Sequence, residues 1–126
     1  MSGYIMKDLL GAAKIVGASQ SNVDLGTSGL SASGCKSLRV HIKAEDVTLT
    51  TGITVRIQQL IFDTYVNLAS ANSSVAITAD GSYVLRMDNI RSADQADMPL
   101  AKQIRLVVST GTGDAVTISK VELFQA

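Results

Sequence analysis

His41 is the only histidine and Cys35 the only cysteine in 126 residues. Acid–base or thiol chemistry therefore has few places to reside. His41 lies between Arg39 and Lys43 on the expected outer face of a strand. No Ser or Cys nucleophile is placed beside it by the sequence, so the expectation is a surface or interface histidine. Cys35 sits in Ser33-Gly34-Cys35-Lys36. Lys36 could lower the thiol pKa, but a small residue at a strand entrance is the plainer reading. One Cys and one His leave no material for a multi-Cys/His zinc site, an intrachain disulfide or a Cys–Cys redox pair.

Three other stretches invite a chemical reading. Ser109-Thr110-Gly111-Thr112-Gly113-Asp114 looks superficially like a phosphate-cradling loop. Such loops need a following helix or a Gly-Lys-Ser/Thr ending, whereas here a strand pattern follows and no Lys is present. A hairpin turn is expected instead. Asp88, Asn89, Asp94 and Asp97 could supply oxygen ligands to calcium, but their spacing lacks the alternation and closing Glu of a calcium loop, so solvated acids are expected. Asn72-Ser73-Ser74 matches the glycosylation sequon and carries little weight without a secretory signal. The expectation is a protein with no catalytic residues, no cofactor and no metal.

The charge balance narrows the partners. Eleven basic and eleven acidic residues give formal net charge +0, without the basic excess of a general nucleic-acid binder. Lys7, Asp8 and Lys14 interrupt the apolar residues near the N-terminus, so a signal peptide is not expected. No run approaches the roughly 20 apolar residues of a membrane span. The expectation is a soluble chain with no direct nucleic-acid or membrane partner.

The elements that position these residues are read from alternation. Leu38, Val40 and Ile42 alternate with Arg39, His41 and Lys43, as on a half-buried strand with a basic outer face. Val47 and Leu49, then Ile53, Val55 and Ile57, alternate on either side of Thr51-Gly52 and predict a hairpin. Tyr65–Ala71 is a further short candidate, with Val66 and Leu68 on one face. Asp80-Gly81 between Val75-Ala76-Ile77 and Tyr83–Met87 is a strong hairpin signal. Ile104, Leu106 and Val108 alternate before the Ser109–Asp114 turn. Val116, Ile118, Val121 and Leu123 follow, with a phase slip that predicts a bulge near Ser119-Lys120. Residues 19–36 read as a loop with a short edge strand at Val23–Leu25. Residues 89–101 form a long polar connection holding the only proline, Pro99. Residues 7–15 could form one or two turns of helix, or equally a strand or extended arm. Seven to eight short strands predict an all-β, antiparallel β-sandwich or jelly roll. It comprises an N-terminal arm and first strand over 1–18 and the sandwich over 19–126, one domain in all.

Two apolar stretches do not fit that core. Leu60-Ile61-Phe62 stands where a hairpin connection should be polar. Tyr4, Ile5, Met6, Leu9 and Leu10 form an apolar N-terminal segment. Each either packs within the chain or meets a partner, and these eight residues are the candidate partner interface.

The strand layout resembles the capsid cement (decoration) proteins of tailed bacteriophages. The residues that carry the resemblance are Ile5-Met6-Lys7-Asp8-Leu9-Leu10, Ala12-Ala13-Lys14-Ile15-Val16 and Asn22-Val23-Asp24-Leu25-Gly26. It continues through Leu38–Ile42, Thr54–Gln59, Tyr83–Met87, Ile104–Val108 and Val116–Leu123. It spans nearly the whole chain as a strand pattern, with the residue 89–101 loop and the apolar Leu60–Phe62 as departures. The resemblance implies a non-enzymatic protein on the outer surface of the virion, made in the bacterial host cytoplasm. It would assemble as a homodimer or homotrimer and bridge subunits of the major capsid protein. The alternative is a module of a phage tail or fibre, or one that binds carbohydrate. Few aromatic platforms are available for the last role, since only Tyr4, Phe62, Tyr65, Tyr83 and Phe124 are aromatic.

Overall fold

Runs of Val, Ile and Thr at period two favour strands, because branched side chains pack well on a pleated surface. The computed structural model describes residues 5–8, 13–25, 30–31, 37–67, 73–88 and 103–125. They form β1 (Ile5–Asp8), β2 (Lys14–Val16), β3 (Val23–Asp24), β4 (Leu30–Ser31), β5 (Ser37–Thr48) and β6 (Ile53–Ile61). These are followed by β7 (Thr64–Asn67), β8 (Ser74–Ile77), β9 (Gly81–Asp88), β10 (Gln103–Thr110) and β11 (Ala115–Gln125). All the pairings are antiparallel.

One sheet has the order β1-β11-β5-β9, with β2 also on β11. The other has the order β3-β10-β6-β7, with β4 on β10 and β8 on β6. The architecture is an antiparallel β-sandwich, as the alternation predicts. It has more strands than seven or eight because the N-terminal third adds β1, β2 and β4, which are too short to register as periodic, while β3 falls on the edge strand expected at Val23–Leu25. The 5–8 and 14–16 segments are strands on β11, so the extended reading of the N-terminal region holds there.

The core lies between the sheets and is entirely aliphatic. Leu38, Val40, Ile42, Leu85, Val116, Ile118, Val121 and Leu123 meet Ile53, Val55, Ile57, Ile77, Ile104, Leu106 and Val108. Each fully buried side chain of this kind contributes about 1.5–3 kcal/mol. That accounts for a stable interior in a chain only 4% aromatic. The predicted phase slip is a bulge: Ile118 lies opposite Ala44 and Lys120 opposite Lys43, leaving Ser119 as the extra residue. A second bulge lies in β5, where Ala115 meets Thr48 and Thr117 meets Glu45. There Asp46 takes a positive φ of 52°.

Three expected hairpins are not hairpins. β5 and β6 lie in different sheets, as do β8 and β9, and β10 and β11. Thr51-Gly52, Asp80-Gly81 and residues 111–114 are crossings from one sheet to the other. Alternation and turn residues mark where a strand ends and the chain reverses. They are the same whether the next strand pairs with the last or packs over it. The stretch between β2 and β3 is a fourth crossing, and all four lie at one end of the sandwich. Between β6 and β7 the chain makes a true hairpin at the opposite end.

Candidate functional site

That hairpin is closed by only two residues, Phe62 and Asp63. Gln58 faces Asn67, Gln59 faces Val66, Leu60 faces Tyr65 and Ile61 faces Thr64. Two-residue turns matching strand twist require positive φ, which favours Asn, Asp and Gly. Phe62 takes this conformation at φ 55°. A left-handed backbone costs a side-chain-bearing residue roughly 1–2 kcal/mol. The ring is also 94% exposed, with Ile61 and Val66 exposed beside it and Leu60 half-buried. The sequence left open whether this stretch is covered by the chain or offered outward. In the folded chain Ile61 and Phe62 are offered outward. Phe62 therefore bears both a backbone cost and a solvation cost, and no packing within the chain offsets them.

The base of the hairpin is stiffened by a polar cluster on the outer face of its sheet. The Arg105 Nε donates to Gln58 Oε1 at 2.7 Å, and Gln58 Nε2 donates to Asn67 Oδ1 at 2.8 Å. The Arg105 guanidinium lies 4.3 Å from the Tyr65 ring centroid, within cation–π range. Gln58 is buried by these contacts. A planar guanidinium and two amides thus hold the strands that present Phe62. The sequence gives only a weak sign of the cluster, a run of Arg and Gln on the outward positions of two strands. A carbohydrate platform needs an open aromatic face, and Arg105 occupies one face of Tyr65.

The other interface candidates divide. Ile5 and Met6 lie in β1, opposite Gln125 and Phe124 in the ladder. Tyr4, Leu9 and Leu10 fall outside the described residues, as do Cys35, Asn72, Asn89, Asp94, Asp97 and Pro99.

At the crossing end, Asp114 holds the fold together. Its carboxylate, 1% exposed, accepts from the backbone N–H of Thr50 (2.6 Å), Thr51 (2.8 Å), Gly52 (2.8 Å) and Gly111 (2.7 Å). Burial pushes its pKa up, but the four backbone donors together outweigh that and lower it from 3.8 to about 2. The Thr51 hydroxyl donates to Thr112 O at 2.8 Å, and the Thr110 hydroxyl to Gly17 O at 2.6 Å. Gly111 is required by space: a Cβ there would stand 2.6 Å from the Thr51 Cβ. The resemblance to a phosphate loop therefore has a different origin. The Gly111 N–H is aimed at the chain's own Asp114, and β11, not a helix, follows. The sequence placed Asp114 in a turn without showing that it satisfies two crossings at once, because three of its four donors lie more than 60 residues away in the sequence.

A third feature is the outer face of the first sheet. His41 packs on Phe124 with ring centroids 4.7 Å apart and a 47° tilt. Beside it, between β9, β5 and β11, lies a shallow groove of about 210 Å³ lined in part by Lys43, Ser82, Val84, Lys120 and Glu122. Among the described residues no Ser side chain is hydrogen-bonded to His41. Among the described residues no group of three His, Cys, Asp or Glu side chains could hold a metal ion.

No protein-family model matches this sequence, and no curated protein matches it. Among solved structures, the chain overlaps one chain of the T13 IBDV viral particle with 11% identity and a TM-score of 0.45, over 97% of this chain and 30% of that one. It overlaps a chain of the infectious bursal disease virus Gx strain with 15% identity and a TM-score of 0.39, over 98% of this chain and 29% of that one. This chain thus spans under a third of either. Overlaps at these TM-scores place it in no family.

Proposed function

We propose that this chain is a non-enzymatic structural protein of a virion, a cement protein seated on the outer surface of a phage head. In this reading it bridges neighbouring subunits of the major capsid protein and acts as a homodimer or homotrimer. The observation that carries the proposal is Phe62: an aromatic side chain almost fully in water, at a backbone position suited to Gly or Asn, on a stiffened hairpin. Such a residue is useful where it fills a pocket on another molecule, since buried aromatic anchors dominate protein interfaces. The resemblance of the strand pattern to cement proteins supplies the kind of partner. The site chemistry is in keeping with a passive role. Asp114 is saturated by backbone donors, and His41 is stacked on Phe124. Many weak identical contacts on a lattice can hold collectively.

The test is to add the purified protein to phage heads that lack it, image them, and measure their disruption temperature. Ordered binding and a rise in that temperature are expected for the wild type, with both lost for Phe62→Asp. Unordered wild-type binding with no rise would overturn the proposal.

A further inference from the structure

Phe62 is a knob with no socket in its own chain. Among the described residues, the exposed large apolar side chains are Ile15, Leu49, Ile61, Phe62, Val66 and Val84. Three of them make the knob at the β6–β7 hairpin. Val84 lines the groove between β9, β5 and β11 on the outer face of the other sheet. The exposed apolar surface is thus gathered chiefly at one projection and one recess. The groove holds about 210 Å³, and a cavity of roughly 150 Å³ is enough for a benzene ring. Val84 lies opposite His41 in the ladder. His41 also lines the groove and packs on Phe124. Lys43 and Lys120, opposite one another, flank it and can lay their aliphatic stems along an apolar guest. The knob and the groove belong to different sheets, with the core between them. Phe62 therefore cannot reach the groove of its own chain.

We propose that Phe62 of one copy is seated in this groove of a second copy. The proposal rests on the reading of Phe62 as an anchor and names the pocket that the anchor fills. The ring enters over Val84 and extends the His41–Phe124 stack, since aromatic rings prefer tilted or offset contact. Ile61 and Val66 meet the aliphatic stems of Lys43 and Lys120. Both halves of the contact are present on one chain, so every copy supplies the socket that another copy's ring needs. Knob and groove are different surfaces, so the contact is heterologous, and repeating it closes a ring. Of the homodimer and the homotrimer, the trimer is therefore the assembly expected. Each contact is small, and closure makes the contacts of a ring act together. Ordered binding to heads then depends on Phe62 through the assembly that it builds.

The mass of the full chain is measured by analytical ultracentrifugation at concentrations reaching about 1 mM, where even weak contacts are populated. A trimer that dissociates on dilution is expected for the wild type. Phe62→Asn suits the left-handed turn position and should be monomeric. Val84→Glu fills the groove with a charged chain and should be monomeric too. Ser82→Glu, at a second exposed groove position, repeats the test should Val84→Glu disturb the sheet. The two variants complement each other, since Phe62→Asn retains the groove and Val84→Glu retains the knob. Mixed, they should form a one-to-one complex that neither forms alone. Three results would each overturn the proposal: a wild type that stays monomeric throughout, an assembly that survives the Phe62 or the groove substitution, or no complex in the mixture. Heads bound in order by a wild type that stays monomeric would overturn this contact alone. A trimer built as described that binds no heads would overturn the capsid reading alone.

Discussion

Asp114 shows how one side chain can replace a set of tertiary contacts. Its carboxylate is depressed to about 2 from 3.8, so it favours the folded state while it is ionised. That contribution is complete above the unfolded value near 3.8 and is lost as pH falls through about 2, the direction required for a lowered acid. Thermal melts across an acid series should therefore fall between these two values in the wild type. Asp114→Asn should melt lower at neutral pH and lose much of that acid dependence. Equal melting of the two proteins at neutral pH would remove Asp114 from this role. Tyr83 is a smaller version of the same device. Its hydroxyl donates to Ala79 O at 2.6 Å and accepts from the Thr78 and Ala79 N–H groups, latching the crossing between β8 and β9. The Ala79 contact is the main reason its pKa is lowered from 10.0.

At the scale of elements, the β6–β7 hairpin trades stability for presentation. Replacing Phe62 with Asn keeps a residue that tolerates φ 55° and removes an exposed ring. The isolated protein should gain about 1 kcal/mol and aggregate less, while binding to its partner weakens. Denaturant titration and light scattering would check this, and a loss of stability in Phe62→Asn would show that the ring serves the fold. This element also marks the reach of sequence reasoning. The apolar Leu60–Phe62 stands out because composition contradicts position, and that contradiction is visible without coordinates. The partnership of strands is not visible. Asp80-Gly81 and Thr51-Gly52 read as hairpin turns, yet each carries the chain across the sandwich. Periodicity reports which face is buried and stays silent on which neighbour supplies the hydrogen bonds. The groove has the same origin: its Lys43, Ser82 and Lys120 are remote in sequence and meet only through register.

For the whole molecule, four crossings at one end tie the sheets into one cooperative unit. Neither sheet can separate without breaking the Asp114 network and exposing the shared aliphatic core. Unfolding should therefore be a single transition, with tyrosine fluorescence and far-ultraviolet circular dichroism giving coincident midpoints. Two separated transitions would mean that the sheets unfold independently. The chain lacks Trp, but Tyr83 and Tyr65 lie in different sheets, so the fluorescence samples both.

The position of β11 also bears on the order in which the protein can be made. It is the hub of its sheet, pairing with β1, β2 and β5, and its Gln125 lies opposite Ile5 of β1. Until residues 115–125 are in place, β1, β2 and β5 have nothing to join them. That sheet is therefore completed last. The β5–β9, β6–β7 and β6–β8 pairs can form without it, and closure by β11 is the step that ends the exposure of the remaining apolar surface to aggregation.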